Sequence, residues 1–138
     1  MYNLSLVYPM VSLVFLTFFI MYLLFVLRVK AVRSRKVSPR YFKLNKGDDI
    51  PDNMLAVSQN YSNLFELPIL FYLACAIAIF LNQSAQYFII HAWCFVALRY
   101  IHSYIHITYN HVLHRLAAFA VSGFILLSMW IKIVLLAL

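Results

Sequence analysis

Residues 4–27 form an unbroken apolar run whose only ionisable side chains are the phenols of Tyr8 and Tyr22. At about 1.5 Å of helical rise per residue, that run is long enough to cross a hydrocarbon core of about 30 Å. A basic segment follows, carrying Arg28, Lys30, Arg33, Arg35, Lys36, Arg40, Lys43 and Lys46. Gly47, Asp48, Asp49 and Pro51 then supply a breaker, carboxylates suited to a helix N-terminus and a first-turn proline, so a helix is expected from near Pro51. Running unbroken to about Leu81 it would be roughly 45 Å long, with its first turns projecting into the cytoplasm and only about 64–81 in lipid. The polar turn of Asn82, Gln83, Ser84, Ala85 and Gln86 returns the chain through a third apolar stretch, and Tyr109, Asn110 and His111 mark the next turn. The fourth stretch starts between Val112 and Leu116 and runs to Ala137, with Lys132 near its far end placed to snorkel. The pattern predicts an all-α, integral membrane four-helix bundle: one domain over 1–138, spans at about 4–27, 64–81, 87–108 and 115–137, and a basic cytoplasmic loop over 28–50.

Composition excludes a soluble fold, since 65% of the chain is apolar and only 11% charged, leaving little polar surface to face water. The net charge of +7 does not point to nucleic acid, because the cations directly follow a span, where the positive-inside rule and anionic headgroups account for them. That rule places the first loop in the cytoplasm and the N-terminus outside, in a multi-pass protein. The first residues lack a basic leader region and a small-residue cleavage site, so the first span is expected to be retained. Cys75 and Cys94 both lie in apolar stretches and are read as small buried packing groups, not as a disulfide pair.

Ionisable groups within spans are costly and usually face a bundle interior or polar cavity. Gln59, Asn63 and Glu66 recur at i, i+4 and i+7 on the second helix; Arg99, His102 and His106 recur at i, i+3 and i+7 on the third. Arg115 opens the fourth. The topology brings these groups to one membrane level, where they either neutralise one another, as an Arg99–Glu66 pair supported by Asn63 would, or enclose a charged ligand. Pro68, just after Glu66, removes a hydrogen bond to the carbonyl of Leu64 and favours a kink. The spacings of His102 with His106 and of His111 with His114 suit metal ligation, yet no Cys or carboxylate completes a ligand set, and no metal is assigned. His91 reads as an interfacial or packing residue.

The run Asn63-Leu64-Phe65-Glu66-Leu67-Pro68, followed by Arg99-x-x-His102-x-x-x-His106 and Arg115, resembles the MAPEG family, the membrane-associated proteins in eicosanoid and glutathione metabolism, and in particular its less characterised bacterial branch. The resemblance covers the whole chain. It implies a homotrimer of four-helix subunits in a bacterial inner membrane, binding glutathione as co-substrate between subunits near the cytoplasmic face. It further implies that Asn63 and Glu66 hold polar groups of the tripeptide, with Glu66 suited to its α-amino group. Gln59, His102 and His106 are expected among the residues that bind it. Arg99, with Arg28 or Arg33 from the end of the first span, would meet carboxylates or support the site. Arg115 would stabilise the thiolate, since a neighbouring guanidinium lowers a thiol pKa. A small hydrophobic electrophile arriving from the lipid would be the second substrate.

Departures from the family pattern matter. Active members commonly carry arginine four residues before the Asn and often one residue before it, where this chain has Gln59 and Ser62; His106 and Phe119 stand where a tyrosine is often or sometimes found. Two expectations follow: a glutathione transferase or peroxidase, or a noncatalytic relative that binds a lipid or a partner protein. A small multidrug transporter fits poorly, because Glu66 lies near a span end and not at the midplane.

Overall fold

A computed structural model describes residues 4–44, 50–82 and 86–138. Lys46, Gly47, Asp48 and Asp49 of the expected helix start, and Gln83, Ser84 and Ala85 of the expected polar turn, lie outside the described residues. Those described fold entirely as helices and turns. A short 3-10 turn, Leu4–Leu6, leads into α1, Val7–Arg33. A single helical turn, α2, Tyr41–Leu44, lies in the loop that follows. Then come α3, Asp52–Asn63, α4, Leu67–Phe80, α5, Gln86–Ile107, and α6, Val112–Ala137. Four helical stretches are long and apolar enough to cross a membrane, with α3 and α4 together making one of them. The protein is therefore a multi-pass integral membrane four-helix bundle.

Two boundaries differ from the sequence reading, each for a physical reason. The first helix continues past 27 to Arg33, so Arg28, Lys30 and Arg33 are helical instead of lying in a loop. Its end is closed by Lys36 N–H donating to the Ala31 carbonyl (3.0 Å) and Arg35 N–H to that of Val32 (3.0 Å). Arg35 takes the left-handed conformation this closure needs, with φ 54°, at a position usually given to glycine. The second helix does not run unbroken from Pro51 but stops at Asn63 and restarts at Leu67. Pro68, in the first turn of α4, has no N–H to offer Leu64, and the chain tightens instead, Phe65 N–H bonding to Ser62 O at 3.0 Å and Ile69 N–H to Glu66 O at 3.3 Å. The fourth helix starts at Val112.

The core follows a narrow stripe on each helix: Leu13, Leu16, Ile20 and Leu24 on α1, Phe71, Ala74, Cys75 and Ala78 on α4, and Ala118, Ser122, Leu126, Met129 and Ile133 on α6. Small residues on α4 let the helices approach closely, and Phe71 stacks on Phe95 of α5 with ring centroids 4.6 Å apart. Hydroxyls in the spans are satisfied locally or across helices: Thr17 donates to Leu13 O (3.1 Å), Ser122 to Phe119 O (2.7 Å) and Tyr100 of α5 to Ser12 O of α1 (2.9 Å). Outward faces carry Tyr8, Phe15, Phe18, Phe19 and Tyr22, as lipid requires. Both cysteines are free; Cys75 is buried as expected, whereas Cys94 is exposed on the outer face of α5, because the buried stripe there passes through Ala92, Phe95 and Val96 instead.

The α5 stripe changes character halfway. It begins as Phe88, Ala92, Phe95 and Val96 and ends as Arg99, His102, Ser103 and His106, all buried. Since α5 runs toward the end of the bundle that carries the basic segment, polar groups concentrate at that end.

Truncating Phe71 to Ala removes the stack on Phe95 and is expected to destabilise the protein by about 3–5 kcal/mol, seen as a lowered melting temperature in detergent. Phe15→Ala should leave that temperature nearly unchanged. An equal loss at Phe15 would show that this face is covered by protein and not by lipid.

Candidate functional site

Because α3 stops at Asn63, the last carbonyls of that helix need donors from elsewhere. One comes from α5: Arg99 Nη2 donates to Asn63 O at 2.9 Å. A cation at a helix C-terminus also complements the negative end of its dipole. Arg99 is 0% exposed, and its Nε and Nη1 have no hydrogen-bond partner among the described residues. Its guanidinium lies 5.6 Å from the ring centroid of Phe119 on α6, a cation–π distance. Glu66, exposed in the break between α3 and α4, acts on Arg99 electrostatically but forms no ion pair within 4.0 Å among the described residues.

Arg115, in the first turns of α6, is tied down by α5 and the turn between them. Its Nη1 donates to Asn110 Oδ1 (2.7 Å) and to His106 Nε2 (3.1 Å), and its carbonyl accepts from His102 Nδ1–H (3.0 Å). Asn110 reaches it from a left-handed turn residue, φ 47°, which asparagine tolerates well. Nη1 has two protons and both are used, so the free edge of the guanidinium is Nε and Nη2. The same bonds assign the imidazoles: His106 accepts at Nε2 and keeps its proton on Nδ1, while His102 donates from Nδ1 and leaves Nε2 bare. Both remaining nitrogens are buried and have no partner among the described residues.

A groove of about 180 Å³ opens between these elements, lined by Asn63, His102, Val112, Arg115, Leu116 and Phe119. The structure thus brings together Asn63, His102 and Arg115 at the groove, Arg99 behind Asn63 and Phe119, and His106 behind Arg115. Two guanidiniums without a carboxylate in contact make it attractive to anions, and Glu66 supplies one negative charge nearby. Leu116 and Phe119 give it an apolar wall.

The remaining expected residues sit elsewhere. Gln59 is exposed, and the interruption after Asn63 ends the helical register that was to align Gln59, Asn63 and Glu66 on one face. Arg28 is half-buried in a groove of about 180 Å³ shared with Tyr41, Ile50, Met54, Leu55 and Ser58, apart from the groove at Asn63. Its guanidinium lies 5.6 Å from the ring centroid of Phe42. Arg33 is exposed more than a turn further on. His91 belongs to the opposite half of α5, stacked on Tyr87 and donating to its carbonyl at 2.7 Å. Among the described residues, no cluster of three His, Cys, Asp or Glu forms a metal site.

Sequence reasoning overlooked three participants. Asn60 is 0% exposed, accepts from Ser103 Oγ at 3.1 Å, and leaves its Nδ2 without a partner. Its signal was the i, i+3 relation to Asn63. Ser103 lies four residues after Arg99, on the same stripe. Asn110 was read only as a turn residue, yet it carries the shortest bond to Arg115 in the cluster.

A family model described as the MAPEG family matches residues 6–135 of the 138-residue chain. No curated protein and no solved structure matches it. The chain belongs to the MAPEG family, and it is a membrane protein of the glutathione-related or eicosanoid-metabolism kind.

Arg99→Met removes the donor to the Asn63 carbonyl and leaves the end of α3 unsatisfied, so it is expected to lower the melting temperature in detergent by the equivalent of about 1–3 kcal/mol. A rise would show that burying the guanidinium costs more than its bond to Asn63 returns.

Proposed function

We propose that this member of the MAPEG family is a glutathione-dependent transferase or peroxidase acting on small hydrophobic electrophiles that reach the groove from the bilayer. The observation that carries the reading is Arg115, fixed through one nitrogen and through its own carbonyl, with its other edge open to a groove that Asn63 and His102 also line. A guanidinium held in place by two bonds, on a main chain pinned by a third, has little freedom left to lose when it meets a developing anion, which makes it an effective electrostatic catalyst.

In this reading the glutathione thiol loses its proton to solvent, and the thiolate sits against Nε and Nη2 of Arg115. The thiolate sulfur attacks the electrophilic atom of the substrate. In the transferase case an S–C bond forms as the leaving group departs with its electron pair, or the electrons move onto an activated double bond. With a hydroperoxide, the sulfur takes the terminal oxygen, an alcohol leaves, and a second glutathione thiol displaces water to give the disulfide. The ammonium of the tripeptide pairs with Glu66, and its carboxylates are drawn by Arg99 and by a cation from the end of α1. Arg28 suits that role better than Arg33, because it shares a groove with Leu55 and Ser58 of α3, whereas Arg33 lies exposed further out.

The wider reading is a homotrimer with glutathione bound between subunits, in a bacterial inner membrane with the basic segment cytoplasmic and the N-terminus outside. Arg28 of α1, half-buried, and Arg99 of α5, fully buried, both lie beside α3, which suits a ligand whose carboxylates are spaced along that helix. A noncatalytic role in binding lipid or a partner protein is the second reading, favoured by the exposed Gln59 and Ser62 where active relatives commonly carry arginine.

Purified protein in nanodiscs should bind glutathione at millimolar concentration, read by calorimetry, and conjugate it to a generic aryl halide. Arg115→Ala should lower kcat by about 10²–10³. Asn110→Ala should have a smaller effect and move the pH–rate rise to higher pH, because a loosened guanidinium depresses the thiol pKa less. Binding without turnover would favour the noncatalytic reading, and turnover that survives Arg115→Ala would remove Arg115 from the chemistry.

A further inference from the structure

We propose that the last turns of α1 form a binding site for one anionic phospholipid of the bilayer, its phosphate held by Lys30 and Arg33 and an acyl chain laid against Phe25, Val26 and Val29. The site lies outside the groove at Arg115 and does not rest on the glutathione reading.

A concave surface of about 460 Å³ is lined by Phe25, Val26, Val29, Lys30, Arg33 and Ser34. It adjoins another of about 480 Å³, to which Val32 and Phe42 add apolar wall. Helical spacing explains the pairing of chemistries. Phe25, Val29 and Arg33 lie four residues apart, as do Val26 and Lys30, so each row runs from apolar to cationic toward the end of the helix. Phe25 is 63% exposed, and the apolar run of the first span stops at 27, which puts the change of character where hydrocarbon meets headgroups.

Charge says what the occupant is. Residues 28–50 carry Arg28, Lys30, Arg33, Arg35, Lys36, Arg40, Lys43 and Lys46 against two carboxylates, Asp48 and Asp49. The segment keeps a large excess of positive charge, which the anionic membrane surface can offset. The helix end is also rigid. The closure at Arg35 and the fully packed Val37, 2% exposed, fix the final turn, so Lys30 and Arg33 stand on a preformed scaffold instead of a loose loop. A phosphate between them meets two charge-assisted donors while the chain below covers Phe25.

Two explanations compete with a defined site: diffuse attraction of the whole basic segment to anionic lipid, and recruitment of Arg33 to the glutathione site. One experiment separates them. The full chain is released from nanodiscs containing equal phosphatidylglycerol and phosphatidylcholine, and retained lipid is counted by native mass spectrometry. The wild type is compared with Lys30→Gln/Arg33→Gln and with Arg40→Gln/Lys43→Gln, which remove the same charge. The expected result is one retained phosphatidylglycerol per subunit, a preference over phosphatidylcholine that falls about 30-fold in the first double variant, the factor two near-surface cations supply, and no comparable fall in the second. Equal losses in both variants, or no preference in the wild type, would overturn the proposal in favour of diffuse attraction. Release of the lipid by millimolar glutathione, but not by inorganic phosphate, would overturn it by assigning these cations to the tripeptide. Failure of glutathione to bind at all would leave the lipid result standing.

Discussion

The polar end of this bundle depends on one hydrogen bond, from the guanidinium of Arg99 to the carbonyl of Asn63. It does two things in lipid that water would otherwise do: it satisfies the end of a broken helix, and it gives a buried cation a place to rest. The break in turn exists because Pro68 cannot donate to Leu64. A single imino acid thus helps to end α3, an arginine from another helix donates to the last carbonyl of that helix, and Asn63 is held at a groove. Besides the unused part of that guanidinium, buried nitrogens of Asn60, His102 and His106 have no partner among the described residues. Natural interiors rarely tolerate so many, and their concentration in one layer marks a place built around something more than helix packing.

Arg115 illustrates the opposite arrangement. Its guanidinium is bonded through one nitrogen and has no partner on the other edge among the described residues, and the groups that accept from it are neutral: an imidazole and an amide. Neutral acceptors orient a cation without cancelling its charge, whereas a carboxylate in the same place would hold it just as firmly and discharge its field. The absence of an ion pair between Glu66 and either arginine, among the described residues, fits the same economy. The positive potential is left for whatever enters the groove.

Much of this was legible in the sequence because the bilayer imposes simple rules. Four apolar runs, a basic segment and two polar turns specify the bundle almost by length alone, and Arg99, His102 and His106 had to share a face once they shared a helix. What periodicity could not reveal was the interruption at 64–66, since a proline in a first turn reads equally as the start of a helix and as a kink within one. That interruption removed the basis for placing Gln59 with Glu66. Asn110 was missed for a different reason: a turn residue is recognised by its backbone tolerance, and nothing in its spacing from Arg115 discloses where its side chain will point. Cys94 was misplaced because a stripe that is buried on one side of a helix leaves its neighbours outside, whatever their hydrophobicity.

All the side-chain ties of Arg115 run to α5 or to the turn that joins it to α6, and these two helices share the most extensive interface in the bundle. The direction of the guanidinium is consequently a function of the angle at which this hairpin opens. Helices in a membrane adjust their tilt to the thickness of the surrounding lipid. A change of tilt in this hairpin would carry the cation with it, so the place of the charge in the groove is tied to how these two helices sit in the bilayer.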